Sequence, residues 1–437
     1  MTRDDRSANR AAHSTAILRA AIAAADPAPA VSGAIRSVTD LHRARHIHVL
    51  AIGKAAEAMA TAALTALPRA PDSALLVVPR TSVETGVATA GRGLRVLHAA
   101  HPVPDDDSVH AGAQVEDLLR STADGDVIIV LLSGGASSLC VAPAAGVTIE
   151  EYAEVVRSLM LAGADIRELN TVRAHIDRLK GGGMARMIAP ARAIGLIVSD
   201  VVGNSLDIIA SGPLSPCSTT PRDALRVLEK YDLTATVPRS VRSALHAARD
   251  DTPASFSHVS TQIVLDNRAA RDGAARVAAQ LGYDVRVTDV PVTGIAREAG
   301  RRIAREALAT ARGLRAADRP ACVLTGGETT VVVSGTGKGG RNQELVLAAA
   351  IELAGGARVT VGSIGTDGVD GPTDAAGAVA DASTIVTAKD AGFDAVEALR
   401  DNDSYSLLDA AGALIRTGAT GTNVMDVQVV LIDPPAA

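Results

Sequence analysis

Aliphatic and β-branched runs recur along the chain, and at least five of them stop in a glycine-rich turn. Residues 46–52 predict a strand that turns at Gly53-Lys54 into a helix over 55–67. Residues 75–78 and 94–97 predict two shorter strands. Residues 126–132 are apolar at every position after the first, the signature of a strand buried on both faces, and end in Ser133-Gly134-Gly135-Ala136-Ser137-Ser138. Helices are predicted at 11–25 and 149–161, with a strand at 194–198. A second series follows: strand 262–266, helix 269–281, strand 284–288, helix 298–311 and strand 321–325. A valine run, 331–333, then reads as a strand feeding the loop 334–340 and a helix over 345–354. Strands at 359–364 and 427–431 complete the pattern. Strands alternating with helices predict an α/β protein. At 437 residues the chain exceeds the usual growth of one core. The polar, non-periodic stretch 249–257 marks a boundary, giving domains 1–255 and 256–437.

The turns carry the candidate chemistry. In Ser334-Gly335-Thr336-Gly337-Lys338-Gly339-Gly340-Arg341, glycines allow close backbone approach, the following helix start offers N–H donors, and two cations stand beside them. The natural guest is a phosphate or carboxylate. A Walker A loop is excluded by spacing, whereas Gly335, Gly337 and Gly340 satisfy G-x-G-x-x-G, with Asp367 after the next strand. A plain turn, an anion site and a dinucleotide site all remain open on this pattern.

Lys54 stands at a strand's carboxyl end and a helix start, where open α/β sheets bind ligands and where a helix dipole disfavours a cation. The hydroxyls and N–H groups of 133–138 suit an anion as well as they suit a helix cap. No G-x-S-x-G elbow is present. His101 is a turn histidine or a catalytic one, Asp200 a loop aspartate or a metal or hydroxyl contact. The aspartates at 367, 370 and 374 are either a turn cluster or a divalent-cation site without EF-hand spacing.

Composition narrows the partners. The chain is 47% hydrophobic with no tryptophan, two phenylalanines and four tyrosines, so its cores are aliphatic and a purine ring would not be held by aromatic stacking. A net charge of −6 without a basic run argues against nucleic acid and acidic membranes as partners. Three distant cysteines give neither zinc spacing nor an even disulfide framework. With no signal-like start and no apolar run near roughly 18 residues, the reading is cytoplasmic and not membrane-bound.

A family resemblance joins these turns. The segments AIGKA (51–55), HPVPD (101–105), LLSGGASSL (131–139), NTVRAHIDRLKGG (170–182), SDVVGN (199–204), ASGP (210–213), LTGGETT (324–330), GKGGRNQELVLAAA (337–350), GTDGVDGPTDAAGA (365–378) and TGATGTNVMD (417–426) resemble, in order, the type II glycerate kinases, whose second domain is called MOFRL. The resemblance implies two three-layer α/β/α domains, the first with a Rossmann-like parallel sheet, and an active site in the cleft between them. It implies ATP- and Mg²⁺-dependent phosphorylation of D-glycerate at its 2-hydroxyl. By motif, Lys54 and Arg341 carry phosphate and transition-state charge, and Asp200 contacts the acceptor hydroxyl or metal. Ser133, Gly134, Gly135 and Ser137 line the site from the first domain. Glu328, Lys338, Gly339, Gly340, Asn342 and Asp367 line it from the second, with Asp367 a further metal candidate. Departures are Asp177, Val202, Asn204, Leu214 and Met425. Asn204 stands where aspartate is usual and removes a ligand charge. The partners expected are small molecules, with a homodimer left open. The G-x-G-x-x-G match keeps a second reading alongside, an NAD(P)-dependent hydroxypyruvate or hydroxyacid reductase.

Overall fold

The computed structural model describes residues 3–80, 94–248, 255–354 and 358–435. The chain divides into two compact units, residues 27–264 and residues 1–26 with 265–437.

In the unit 27–264 the strands are β1 (Ile47–Ile52), β2 (Ser73–Pro79), β3 (Leu94–Ala99), β4 (Val127–Leu132), β5 (Arg192–Val198) and β6 (Val259–Leu265), in the order β3-β2-β1-β4-β5-β6. The pairs among β1 to β5 are all parallel. Parallel central strands are covered on both faces, which is why β4 is buried at each position. One face packs Leu50, Ile52, Ile128, Val130 and Leu132 on the helix Asp106–Arg120. The helix Ala56–Ala66 packs on the sheet as well. A separate helical core joins Tyr152, Val155, Val172, Leu228 and Leu245. The order reverses between β1 and β4, so the turns after these two strands diverge at a topological switch point.

In the other unit β7 (Asp284–Val287), β8 (Val292–Ile295), β9 (Ala321–Thr330), β10 (Val359–Gly365), β11 (Gly377–Asp381), β12 (Leu414–Ile415) and β13 (Asp426–Ile432) form a mixed sheet ordered β12-β11-β10-β13-β9-β7, with β8 also on β9. β13 runs antiparallel to both neighbours. Period-two alternation sorts its faces. Val359, Val361, Val430 and Ile432 join the core that holds the helices Ala296–Gly313 and Arg341–Glu352. Thr360 and Gly362 face the opposite way, toward Arg10 and Leu18 of the N-terminal helix Arg3–Ala24. Both domains expected from the sequence are therefore α/β, and the second sheet is mixed rather than parallel.

The unit boundary lies at 264/265, beyond the expected 255/256, because β6 completes the first sheet. Of the polar stretch at 249–257, residues 249–254 lie outside the described residues. The N-terminal helix also belongs with the C-terminal half. Its Arg10 bonds Thr360 at 3.0 Å and pairs with Asp433, and Ile17, Leu18 and Ala21 are fully buried. The valine run 331–333 is no strand: β9 stops at Thr330, and Val332 and Val333 are 54% and 76% exposed. All three cysteines are free. Among the described residues no helix is long and apolar enough to cross a membrane.

Candidate active site

Within the unit 27–264 the switch-point turns interlock. The Lys54 N–H donates to the Gly134 carbonyl at 2.9 Å, and the Ala55 N–H donates to Ser133 Oγ at 3.0 Å, capping the helix that follows. Gly53 must be glycine: its φ is +130°, and a Cβ would lie 2.2 Å from Ser133 Oγ. Gly135, at φ +87°, faces His101 and the Lys54 stem, where a Cβ would come 2.9 Å from the imidazole. Lys54, Ser133, Gly134 and Gly135 thus meet at one place, joined by His101 from the turn after β3. Ser137 points elsewhere in the same unit. Its Oγ lies 2.9 Å from Ser211 Oγ, which donates to Asn170 Oδ1 at 2.9 Å. Asp200 is half-buried directly after β5.

One departure from the family pattern has a visible cause. Asp177 pairs at 2.6 Å with Lys180, a cation only 2% exposed that needs a counter-charge in so apolar a place. Asn204 has φ 55°, a left-handed conformation that asparagine tolerates well.

In the other unit Arg341 opens the helix Arg341–Glu352. Its Nε and Nη2 donate to Asp426 Oδ2 and Oδ1 at 2.7 and 2.8 Å, and Nη1 lies 2.8 Å from Glu328 Oε1. Burial works against the guanidinium's charge, but the Asp426 and Glu328 carboxylates outweigh it and hold the pKa above its ordinary value. Asp426 and Asp367 both approach Gly365, which sits between them. Arg341, Glu328, Asp367 and Asp426 form one charged group. Asp426 is the residue that motif reading passed over. Its signal was a charge heading a largely apolar strand.

The glycine loop is filled from within. The N–H groups of Ser334 and Gly335 donate to Asn402 Oδ1, that of Thr336 to Asp401 Oδ1, that of Gly337 to the Asp401 carbonyl and that of Lys338 to Asp403 Oδ1. The anticipated carboxylate guest is the protein's own 401–403 segment. Lys338 lays its ammonium over the Tyr405 ring, 4.1 Å from the centroid.

The helix start is filled likewise. Asp370 accepts from the N–H groups and side-chain amides of Asn342 and Gln343, between 2.9 and 3.2 Å. Burial pushes the Asp370 carboxyl up to about 6 against these donors. Asn342 is 1% exposed and also meets Ser363, while Gly340 packs on Asp370 and Gly339 on Ser404. Lys338, Gly339, Gly340 and Asn342 therefore build the support under Arg341. Among the described residues no three His, Cys, Asp or Glu side chains form a metal cluster.

Known proteins share this architecture. Residues 13–246 match a family described as a domain of unknown function (DUF4147), and residues 321–426 match the MOFRL family. A D-glycerate 2-kinase of Thermotoga maritima is 40% identical over 384 residues, 88% of this chain and 90% of that one. A protein of Agrobacterium vitis, provisionally named hydroxypyruvate reductase, is 36% identical over 419 residues, 95% of this chain and 93% of that one. The crystal structure of a glycerate kinase from Thermotoga maritima superposes with a TM-score of 0.87 at 38% identity, covering 97% of this chain and all of that one.

Proposed function

Because this chain belongs to the type II glycerate kinase family, we propose that it transfers the terminal phosphate of ATP to the 2-hydroxyl of D-glycerate, with Mg²⁺, giving 2-phosphoglycerate and ADP. The observation that carries this reading is Arg341, a guanidinium fixed by a buried carboxylate with one edge turned toward an exposed one. Phosphoryl transfer asks a protein chiefly for fixed charge and positioning. Arg341 supplies charge that costs no rearrangement at the moment of reaction.

Lys54, at the switch point, is assigned to an anionic group of substrate or donor, with Ser133, Gly134 and Gly135 as its surroundings, while Ser137 lines the neighbouring stretch beside Ser211. Asp200 orients the acceptor hydroxyl or holds metal. Asp367, beside the Arg341 and Asp426 pair, is the candidate ligand for a divalent cation. Mg²⁺ is commonly held by one or two carboxylates plus phosphates, and needs no protein cage. When bound it withdraws charge from the phosphates. The reductase reading loses its motivation, since the G-x-G-x-x-G donors that would cradle a pyrophosphate are bonded to residues 401–403.

Two NADH-linked assays test the proposal. Pyruvate kinase, lactate dehydrogenase and added phosphoenolpyruvate report ADP. Enolase in place of phosphoenolpyruvate reports 2-phosphoglycerate. NADH loss in both, dependent on ATP and D-glycerate, is expected. A signal in the second only after adding phosphoglycerate mutase would make the product the 3-phosphate. No ADP with any small hydroxyacid, together with nicotinamide oxidation on hydroxypyruvate, would replace the kinase by the reductase.

A further inference from the structure

Arg341 meets two carboxylates of opposite character. Asp426 is fully buried and grips the guanidinium through two parallel bonds, the strongest geometry for this pair. It heads β13 with glycines as its cross-strand neighbours on both sides, Gly327 and Gly365. Its carbonyl and that of Val424 accept from Asn267 Nδ2 at 2.9 and 2.8 Å, which pins the strand at this point. Separating the pair would leave the buried Asp426 carboxylate uncompensated. Asp426 therefore stays.

Glu328 differs in burial and in grip. Its side chain is 45% exposed and touches Arg341 at Nη1. An exposed end-on ion pair contributes little, and outward rotation returns the carboxylate to water.

We propose that Asp426 is a positioning residue that aims Arg341, and that Glu328 is a placeholder, displaced from Nη1 by an anionic group of the substrates. That group is a phosphate of ATP or the carboxylate of glycerate. The inference rests on the kinase reading for the identity of these anions. Glu328, by this assignment, competes with the ligand for the arginine edge rather than binding the ligand itself. Its presence keeps the guanidinium aligned before an anion arrives, at the expense of affinity.

Calorimetric titration of ATP and of D-glycerate into the full-length protein tests this, with ATP titrated both in Mg²⁺ and in EDTA. Glu328→Gln is expected to tighten one anion about two- to fivefold, the size of effect that one exposed charge exerts, and the titrant that gains names the group. The gain should vanish in an Arg341→Lys background, where one ammonium serves Asp426 and no second edge remains. Asp426→Asn should weaken the same anion about tenfold, and adding Glu328→Gln should restore more than it gains in the wild type, because Arg341 then leans on Glu328 alone; a merely structural Asp426 would give only the wild-type gain. If Asp426→Asn does not fold, the Glu328→Gln and Arg341→Lys cycle decides alone. Unchanged or weaker binding by Glu328→Gln overturns the proposal, as does weakening confined to the Mg²⁺ titration, which would make Glu328 a metal ligand. Failure of the wild type to bind either anion overturns it too. The coupled assays judge the reaction separately: tightening without turnover would keep the placeholder and remove the kinase.

Discussion

Replacing Lys54 and replacing Arg341 with alanine delete the same charge but not the same structure. The link from residue 54 to Gly134 runs through the backbone N–H and survives in Lys54→Ala. That variant should lose turnover by about two orders of magnitude, the scale of a removed charge-stabilising donor, while its stability changes by about 1 kcal/mol or less. Arg341→Ala also strands Asp426 in the interior, so it should lose turnover and about 3–5 kcal/mol of stability together. Parallel thermal melts and coupled assays separate the two outcomes, and equal melts would refute the buried-pair argument. Asp370 is a comparable case without a role in the chemistry. Asp370→Ala strips four donors of their acceptor and should cost about 3 kcal/mol or more, read as a shift in denaturation midpoint. Lys54 and Arg341 stood out in the sequence because each follows a strand-to-glycine turn. Asn342 came only from the family motif, and the residue it bonds lies 28 positions away.

At the scale of elements, the loop 331–340 shows how a motif's chemistry can be used within the chain itself. Glycines there do permit close approach, but the approaching groups are Asp401, Asn402 and Asp403. A Cβ on Gly337 would lie 2.4 Å from that of Asp403. Gly337→Ala should therefore cost on the order of 1–3 kcal/mol and expose the loop to limited proteolysis. Gly313→Ala, with open space around it, is the control. A second element-level contact sets a pH dependence. Glu168 caps the helix Ile166–Ile176 and accepts from Lys230 and Tyr231, both at 2.6 Å, which hold its carboxyl down to about 2. The folded chain binds this proton less tightly than the unfolded chain, whose glutamate titrates near 4.3. The contribution is therefore complete above that value and lost as pH falls through about 2. Glu168→Gln should lower the melting temperature at pH 7, by about 1 kcal/mol or less in stability, with the gap closing below pH 4. A gap constant with pH would assign the effect to packing.

At the scale of the molecule, the N-terminal helix decides how the chain is partitioned. Its spacing marks it as a helix, yet Ile17, Leu18 and Ala21 are buried in the unit formed by 265–437, and Leu18 fills the space above Gly362. Deleting residues 1–26 should destabilise that C-terminal unit. Hydrogen exchange would then show lost protection across β10 and β13, with β1, β2 and β4 unaffected; uniform loss, or loss in the first sheet alone, would contradict the division. The sequence by itself determined the α/β class, most of the strands, several of the longer helices, and the turns that carry Lys54 and Arg341, because these follow from local periodicity and from where glycine is tolerated. The family, too, was legible in a linear series of motifs. Only the tertiary structure decided that the second sheet is mixed, that the first helix crosses to the C-terminal unit, and that the glycine loop and the helix start are occupied by the protein's own carboxylates. It alone showed that Asp426 locks Arg341. Strand order, burial and ion pairing join residues tens to hundreds of positions apart, and a free energy that depends on removing such partners from water together leaves no mark on the local pattern of either one.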